Sequence, residues 1–351
     1  MDKILFVGSV EANKRNNTTF HRYSSLLELG FNVRTLNVEE IDNNILYLFI
    51  FKFINKLFKY GLDIYLPDFN SYNNKLIKKL YQNKFDVLWI EKGLIFNKNT
   101  FKYVRNRFPL LIILGFSPDD MNARHNQSLN FLHSLKYYDY YITTKSFNVN
   151  ELKNLGCKNV IFTNNGFDKH SFRMIKNKTL KFNITNNDIC FIGSFEKERY
   201  TSLLSIAQNG FIVNVFGNGW SKFIKQHENL IIHNKPLYGE DFSVACNFFK
   251  INLCFLRKMN RDLQTTRSIE IPACSGFMLA ERSVEHLELF KEGIEADYFT
   301  TNIELIQKIF LYLSNDNLRE EIAKNGFLRC KNDDYSNTGQ LKKVFKSLQI
   351  L

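Results

Sequence analysis

Asp262-Leu-Gln-Thr-Thr-Arg267-Ser-Ile-Glu270-Ile-Pro272-Ala-Cys274-Ser275-Gly276 is the stretch on which the reading of this 351-residue chain turns. A short, mostly apolar run over residues 251–256 precedes it, as in a buried strand, and a polar loop over 257–261 joins the two. The stretch itself predicts a short helix over 265–274, closed by Gly276. Pro272 and the polar flank make it a poor core helix. Arg267 and Glu270 stand three apart and so share one helical face. A guanidinium matches phosphate oxygens through its planar fork. An ionised carboxylate accepts two hydrogen bonds and can grip a vicinal diol such as a ribose. Together, beside a loop that follows a strand, they suit a ligand carrying both phosphate and hydroxyl groups. The plainer alternative is a surface ion pair with no ligand at all.

Outward from that stretch, residues 188–194 read as a strand running into a turn at Gly193-Ser194, with a helix over 196–208. A glycine there lets the backbone approach a ligand, and a helix N-terminus favours an anion. Arg199 adds a positive charge. Gly193, Ser194 and Arg199 are therefore candidate contacts for a diphosphate, although a plain strand-to-helix turn would need the glycine just as much. A strand over 211–216 ends in Gly217-Asn-Gly219-Trp220, and residues 230–232 lead into Asn234-Lys235-Pro-Leu-Tyr238-Gly239. Helices follow over 240–249, 303–313 and 317–329, with a last one over 336–348.

The first half opens in the same way. A strand over 4–9 enters a glycine turn, a helix covers 18–29 and a second strand covers 32–36, a βαβ unit expected to be parallel and right-handed. The turn Gly8-Ser-Val-Glu-Ala-Asn13 lacks G-x-G-x-x-G, and no G-x-x-x-x-G-K-[ST] occurs anywhere. A dinucleotide oxidoreductase and a P-loop NTPase are thus unsupported. Beyond a helix over 70–82, strands over 86–90 and 110–114 flank a helix over 98–107. The second strand runs into Gly115-Phe-Ser-Pro-Asp119-Asp120, followed by His125 in a polar loop. Ligands of doubly wound sheets bind beyond the carboxyl ends of strands. Asp120, His125 and Asp119 are accordingly candidates for a general base acting on an acceptor hydroxyl. Helix capping by Ser-Pro-Asp-Asp is the alternative. Strands over 140–143 and 159–162 complete this half, which closes on Thr163-Asn-Asn-Gly166-Phe-Asp168.

Composition is that of a soluble globular protein, 44% hydrophobic and 23% charged, at a length that allows two cores. Net charge is +12, and the first 170 residues hold 23 Lys/Arg against 15 Asp/Glu, so most of the excess sits there. That asymmetry implies an anionic partner for the first half. Six cysteines without C-x-x-C spacing, several in apolar runs, point to buried free thiols in a reducing compartment. No signal peptide is expected, since Met1-Asp-Lys leads into a strand, and no apolar run is long enough to span a bilayer. Residues 45–59 carry Lys52, Asn55, Lys56 and Lys59 on one narrow helical face with Phe and Ile elsewhere. Such a helix could lie in a membrane interface; the alternative is a helix buried on three sides.

Arg267-Ser-Ile-Glu270-Ile-Pro-Ala273-Cys274-Ser-Gly276-Phe277 resembles the R-x-x-E-x-x-A-C-x-G-F signature of the CgeB-like (spore maturation protein) branch of the group 1 glycosyltransferases. Asp262 and Glu270 resemble the acidic E-x7-E pair of the wider superfamily, with Asp in the first place; Ser275 stands where the family usually has a first glycine. The likeness continues through Phe290-Lys-Glu-Gly293, the 305–329 helices, Phe191-Ile-Gly193-Ser194 with Arg199, the Gly217-Asn-Gly219-Trp220 turn, Asp119-Asp120 and the 163–168 loop. It covers the second half well and the first half loosely.

The resemblance implies a GT-B architecture, in agreement with the two strand–glycine–helix openings: an α/β protein of two doubly wound Rossmann-like domains facing across a cleft. The expected domains are 1–170 for the acceptor, a linker over 171–187, 188–332 for the nucleotide-sugar, and a 333–351 helix crossing back to the first domain. Gly193, Ser194, Arg199 and Arg267 would meet the diphosphate, Glu270 the ribose with Asp262 as its acidic partner, and Tyr238 the base. No cofactor is expected beyond the nucleotide-sugar donor, and no metal, because the sequence has no D-x-D. The acceptor would be a cell-surface glycan, lipid or protein, as in polysaccharide biosynthesis. The expected setting is cytoplasmic, with peripheral contact to the inner face of the membrane through 45–59. Two rivals stay open. One is a non-catalytic sugar- or nucleotide-binding relic of the fold. The other is a basic nucleic-acid-binding protein, against which the positive charge is scattered over helices without a recognition motif.

Overall fold

The computed structural model describes residues 3–10, 17–38, 45–175 and 184–349. Residues 11–13 of the first glycine turn, the start at Met1-Asp2 and residues 176–183 of the expected linker lie outside them. The chain divides into two compact units, residues 1–164 with 340–351, and residues 165–339.

In chain order the first unit contains β1 (Lys3–Gly8), α1 (Thr18–Glu28), β2 (Asn32–Asn37), α2 (Ile45–Lys59), α3 (Tyr72–Gln82), β3 (Val87–Glu91), α4 (Lys98–Arg107), β4 (Ile112–Ser117), α5 (Leu129–Ser134), β5 (Tyr140–Thr143), α6 (Asn148–Asn154) and β6 (Val160–Phe162). Its sheet is parallel throughout, in the order β2-β1-β3-β4-β5-β6. Helices cover both faces, so alternate residues of one strand enter different cores. Leu5 and Val7 join Leu88, Ile90 and Ile113 on one side, while Ile4 and Phe6 join Trp89, Leu114 and Phe116 on the other. That two-sided burial is why these strands read as unbroken apolar runs.

The second unit follows with β7 (Ile189–Ile192), α7 (Lys197–Gln208), β8 (Val213–Phe216), β9 (Leu230–Ile232), α8 (Gly239–Phe248), β10 (Ile251–Cys254), α9 (Thr266–Ala273), β11 (Met278–Glu281), α10 (Val284–Leu289), β12 (Asp297–Phe299), α11 (Asn302–Leu313) and α12 (Asp316–Asn332). Its parallel sheet has the order β12-β11-β10-β7-β8-β9. Cys190 and Ile192 enter one core, Ile189 and Phe191 the other. Finally α13 (Asn337–Ser347) carries Leu341, Val344 and Phe345 into the first unit's core, where the Phe345 ring lies 4.7 Å from Phe31 and 6.0 Å from Trp89. All six cysteines are free and buried, as composition predicts.

Several expectations need correction. The boundary between the units falls at 164/165, and the described part of the 171–187 stretch is built into the second unit. Phe172 is buried in its core, and Ser243 Oγ donates to the Ser171 carbonyl at 3.0 Å. The strand expected over 110–114 starts later, because Leu110 is exposed and Leu111 N–H closes a turn on the Phe108 carbonyl. The 45–59 helix is not buried on three sides: only Phe58 is buried. The helix of the central stretch is, by contrast, a core helix, with every residue from Ser268 to Ala273 buried. Pro272 is tolerated because it falls in the last turn, where it removes a single backbone bond. Gly326 of α12 lies against it: a Cβ there would come 3.4 Å from Pro272 Cβ and collide with the Glu295 carbonyl.

Candidate functional site

The carboxyl ends of β7, β8 and β10 and the start of α9 enclose a cavity of 320 Å³ within the second unit. Gly193, Ser194, Arg199, Tyr238 and Arg267, five of the seven donor-site candidates, line it together. Its floor is held by backbone. Gly193 N–H donates to the Phe216 carbonyl at 2.9 Å, and Trp220 Nε1 donates to the Gly193 carbonyl at 2.9 Å. Gly217, at φ +147°, is pressed against that same carbonyl so closely that a Cβ would occupy its space.

Arg199 lies in the first turn of α7 and is 6% exposed. Its Nη1 donates to the Ser194 carbonyl at 3.0 Å and its Nη2 to the Phe255 carbonyl at 3.3 Å, while its Nε is buried with no partner. Burial lowers its pKa; the Glu196 carboxylate 3.9 Å away and the charge of Asp262 act in the opposite direction. A buried guanidinium with donor capacity left over is a receptor for an anion.

Arg267 stands at the other side of the cavity, near the N-terminus of α9. The first N–H groups of a helix have no partner within it, and Thr265 and Thr266 bring that end to the cavity wall. Ser268 Oγ fixes the start of the helix by accepting from Thr265 N–H at 2.9 Å. The Arg267 guanidinium packs over the Phe242 ring at 4.1 Å and donates to Glu270. The ion pair of the plainer alternative is therefore formed, but its carboxylate is buried, with the Glu270 side chain 4% exposed and that of Arg267 25% exposed. Glu270 lies behind Arg267 and is not among the residues lining the cavity. Nor is Asp262, which is buried and accepts from Asn260 Nδ2 at 2.7 Å.

Sequence reasoning missed Arg257, Asn218, Thr265 and Thr266 as lining residues. Arg257 Nε donates to Glu196 at 3.0 Å, which places a third guanidinium at the cavity. Its position just past a strand was the signal that could have marked it.

In the first unit the three catalytic candidates have different surroundings. Asp120 is fully buried. Its Oδ1 accepts from the backbone N–H of Asn122 at 3.1 Å and Ala123 at 3.2 Å, and from Asn148 Nδ2 at 2.9 Å, the bonds of a turn cap. Asp119 pairs with Lys92, and its N–H donates to Ser117 Oγ at 3.1 Å. His125 is partly exposed, with Nε2 3.3 Å from Asn126 Nδ2.

Residues 199–345 match a family described as glycosyl transferase-like. No curated protein sequence matches the chain. Among solved structures, the chain is similar to the sucrose-phosphate synthase of Thermosynechococcus elongatus at TM-score 0.64 and 9% identity, with 100% of each chain covered. A glycosyltransferase from Rickettsia africae aligns at TM-score 0.63 and 13% identity, over 98% of this chain and 97% of that one. HepE of Anabaena in complex with UDP and glucose aligns at TM-score 0.62 and 11% identity over 100% of both chains. These likenesses fix the fold as GT-B, two Rossmann-like domains. On that fold, the family match over residues 199–345 gives the class: the protein is a glycosyltransferase. Within that class, the family match falls almost wholly on the unit that carries the cavity.

Proposed function

We propose that this protein transfers a sugar from a nucleotide-diphosphate donor to a cell-surface glycan, lipid or protein, without a metal ion, as a member of the CgeB-like branch. The observation that carries the reading is the convergence of Arg199 and the Arg267 end of α9 on one cavity. The buried Arg199 guanidinium, the partly buried Arg267 and a helix N-terminus stabilise a departing diphosphate as charge develops on it. HepE, of the same fold, is described with UDP and glucose, and with UDP-glucose. In this reading the donor phosphates draw Arg267 off Glu270, whose freed carboxylate takes the ribose hydroxyls. Tyr238, half-exposed at the rim, stacks on the base. The first unit binds the acceptor, with Asp119 or His125 as base if configuration inverts, since Asp120 is committed to its turn. Six free thiols favour a cytoplasmic setting.

Titration calorimetry with UDP, GDP and dTDP, together with a donor-turnover assay, tests this. One of the three binds, and Glu270→Ala weakens it by about 1.5–3 kcal/mol. Wild-type affinity in that variant removes the ribose assignment. Binding without turnover on any sugar donor makes the protein a relic of the fold.

A further inference from the structure

Helix α2 turns toward solvent the side chains that a globular domain would bury. Ile45 is 82% exposed, Phe49 69%, Phe53 52% and Tyr60, just past its end, 78%. With Leu46 they fall on one arc of roughly 100° at 3.6 residues per turn, and Lys52, Lys56 and Lys59 cluster at the Ile45 edge of that arc. The opposite side docks onto the unit: Phe58 is buried, Arg124 stacks over its ring at 4.2 Å and donates to its carbonyl, and Tyr47 stacks on Phe69 at 4.6 Å. Among the described residues none of the three lysines is in a salt bridge, and residues 45–62 contain no Asp or Glu. No described helix is long and apolar enough to cross a membrane.

We infer that α2 seats this protein on an anionic bilayer, with Phe49, Phe53 and their apolar neighbours entering the acyl boundary and the lysines reaching the headgroups. The charge decides the occupant. An apolar face with a basic rim and no acid gains from both terms at once on an anionic leaflet. A second copy of the same face would bring three lysines against three lysines. Aromatic rings at positions 49, 53 and 60 suit the interface, and the stems of the lysines can follow the apolar surface while the ammonium groups stay wet. This inference concerns the first unit and holds independently of the sugar-transfer chemistry.

Cosedimentation with phosphatidylcholine vesicles containing about a quarter phosphatidylglycerol tests it on the full chain. The protein pellets with these vesicles at low salt, stays in solution with pure phosphatidylcholine, and is released as salt rises. Phe49→Ser with Phe53→Ser, and separately Lys52→Glu with Lys56→Glu and Lys59→Glu, each lower vesicle affinity at least ~10-fold. These side chains are exposed, so circular dichroism and Tm stay unchanged and report that the variants fold. Failure of the wild type to pellet on anionic vesicles, or equal pelleting by both variants, overturns the inference. So does a dimer, seen by sedimentation velocity, that the phenylalanine variant dissolves. Donor turnover measured in parallel on a soluble acceptor keeps this outcome separate from the enzymatic reading.

Discussion

His286 Nε2 lies 2.6 Å from Ser268 Oγ, beneath the helix that carries Arg267. Its Nδ1 lies 2.7 Å from the Glu281 carbonyl and donates to it, so Nε2 is left to accept the Ser268 hydroxyl. Ser268 Oγ in turn receives Thr265 N–H. A fully buried imidazole thus orients the first turn of α9, and with it one wall of the cavity.

That arrangement requires the neutral ring. Burial depresses the His286 pKa from 6.5 to about 4, only partly opposed by the bond to Glu281. Between those values the unfolded chain binds a proton that the folded chain does not, so stability rises with pH across the window and is lost as pH falls from 6.5 toward 4. Above pH 6.5 the full contribution, on the order of 3 kcal/mol, is present. Urea unfolding at stepped pH should show this dependence in the wild type, and His286→Gln should flatten it. An unchanged profile in the variant removes His286 as its source.

Gly217 has no room for a side chain. An Ala Cβ would fall on the Gly193 carbonyl, which already accepts from Trp220. Gly217→Ala should therefore cost at least ~2 kcal/mol and weaken nucleotide binding, because the displaced strand ends are the cavity floor. Gly210, also at positive φ (+87°) but with nothing within 4 Å, is the control and should cost about 1 kcal/mol. Equal unfolding midpoints for the two variants would sink the steric account.

Ser275 is the residue after the C-cap of α9 and sits at φ +64°. Its N–H donates to the Pro272 carbonyl at 2.8 Å, and Gly276 N–H donates to the Ile271 carbonyl at 3.0 Å, the two bonds of a Schellman motif. The backbone thus keeps the geometry a glycine would favour, and serine bears the strain. Ser275→Gly is expected to raise stability by about 1 kcal/mol without altering donor affinity. A lower Tm for this variant would show that the serine side chain contributes something the turn needs.

Both sheets were legible in the sequence because central parallel strands, buried on two faces, leave apolar runs that few other structures produce. β11 and β12 were not. Met278-Leu-Ala-Glu and Asp297-Tyr-Phe are four and three residues long and carry acids; they are strands because β10 pairs β11 and β11 pairs β12. The cavity was legible where it depends on residue types with sharp chemistry, namely Gly193, Arg199 and Arg267. Asn218, Thr265 and Thr266 are polar residues common anywhere, and only the fold brings them to the wall. The burial of Asp120 depends on Asn148, 28 positions away, which spacing cannot reveal. Spacing did reveal that Arg267 and Glu270 would meet, but not that the core would close over the carboxylate.

The return of α13 to the first unit sets an order of events at the ribosome. β1 to β6 are made before the second unit, yet the flank of that sheet bearing Trp89 and Phe116 gains Leu341, Val344 and Phe345 only after the whole second unit has been translated. Domains usually mature from the N-terminus as they are made. Here, of the two units, the one translated first is sealed after the other, and its unclosed aromatic flank is what a nascent-chain chaperone would meet.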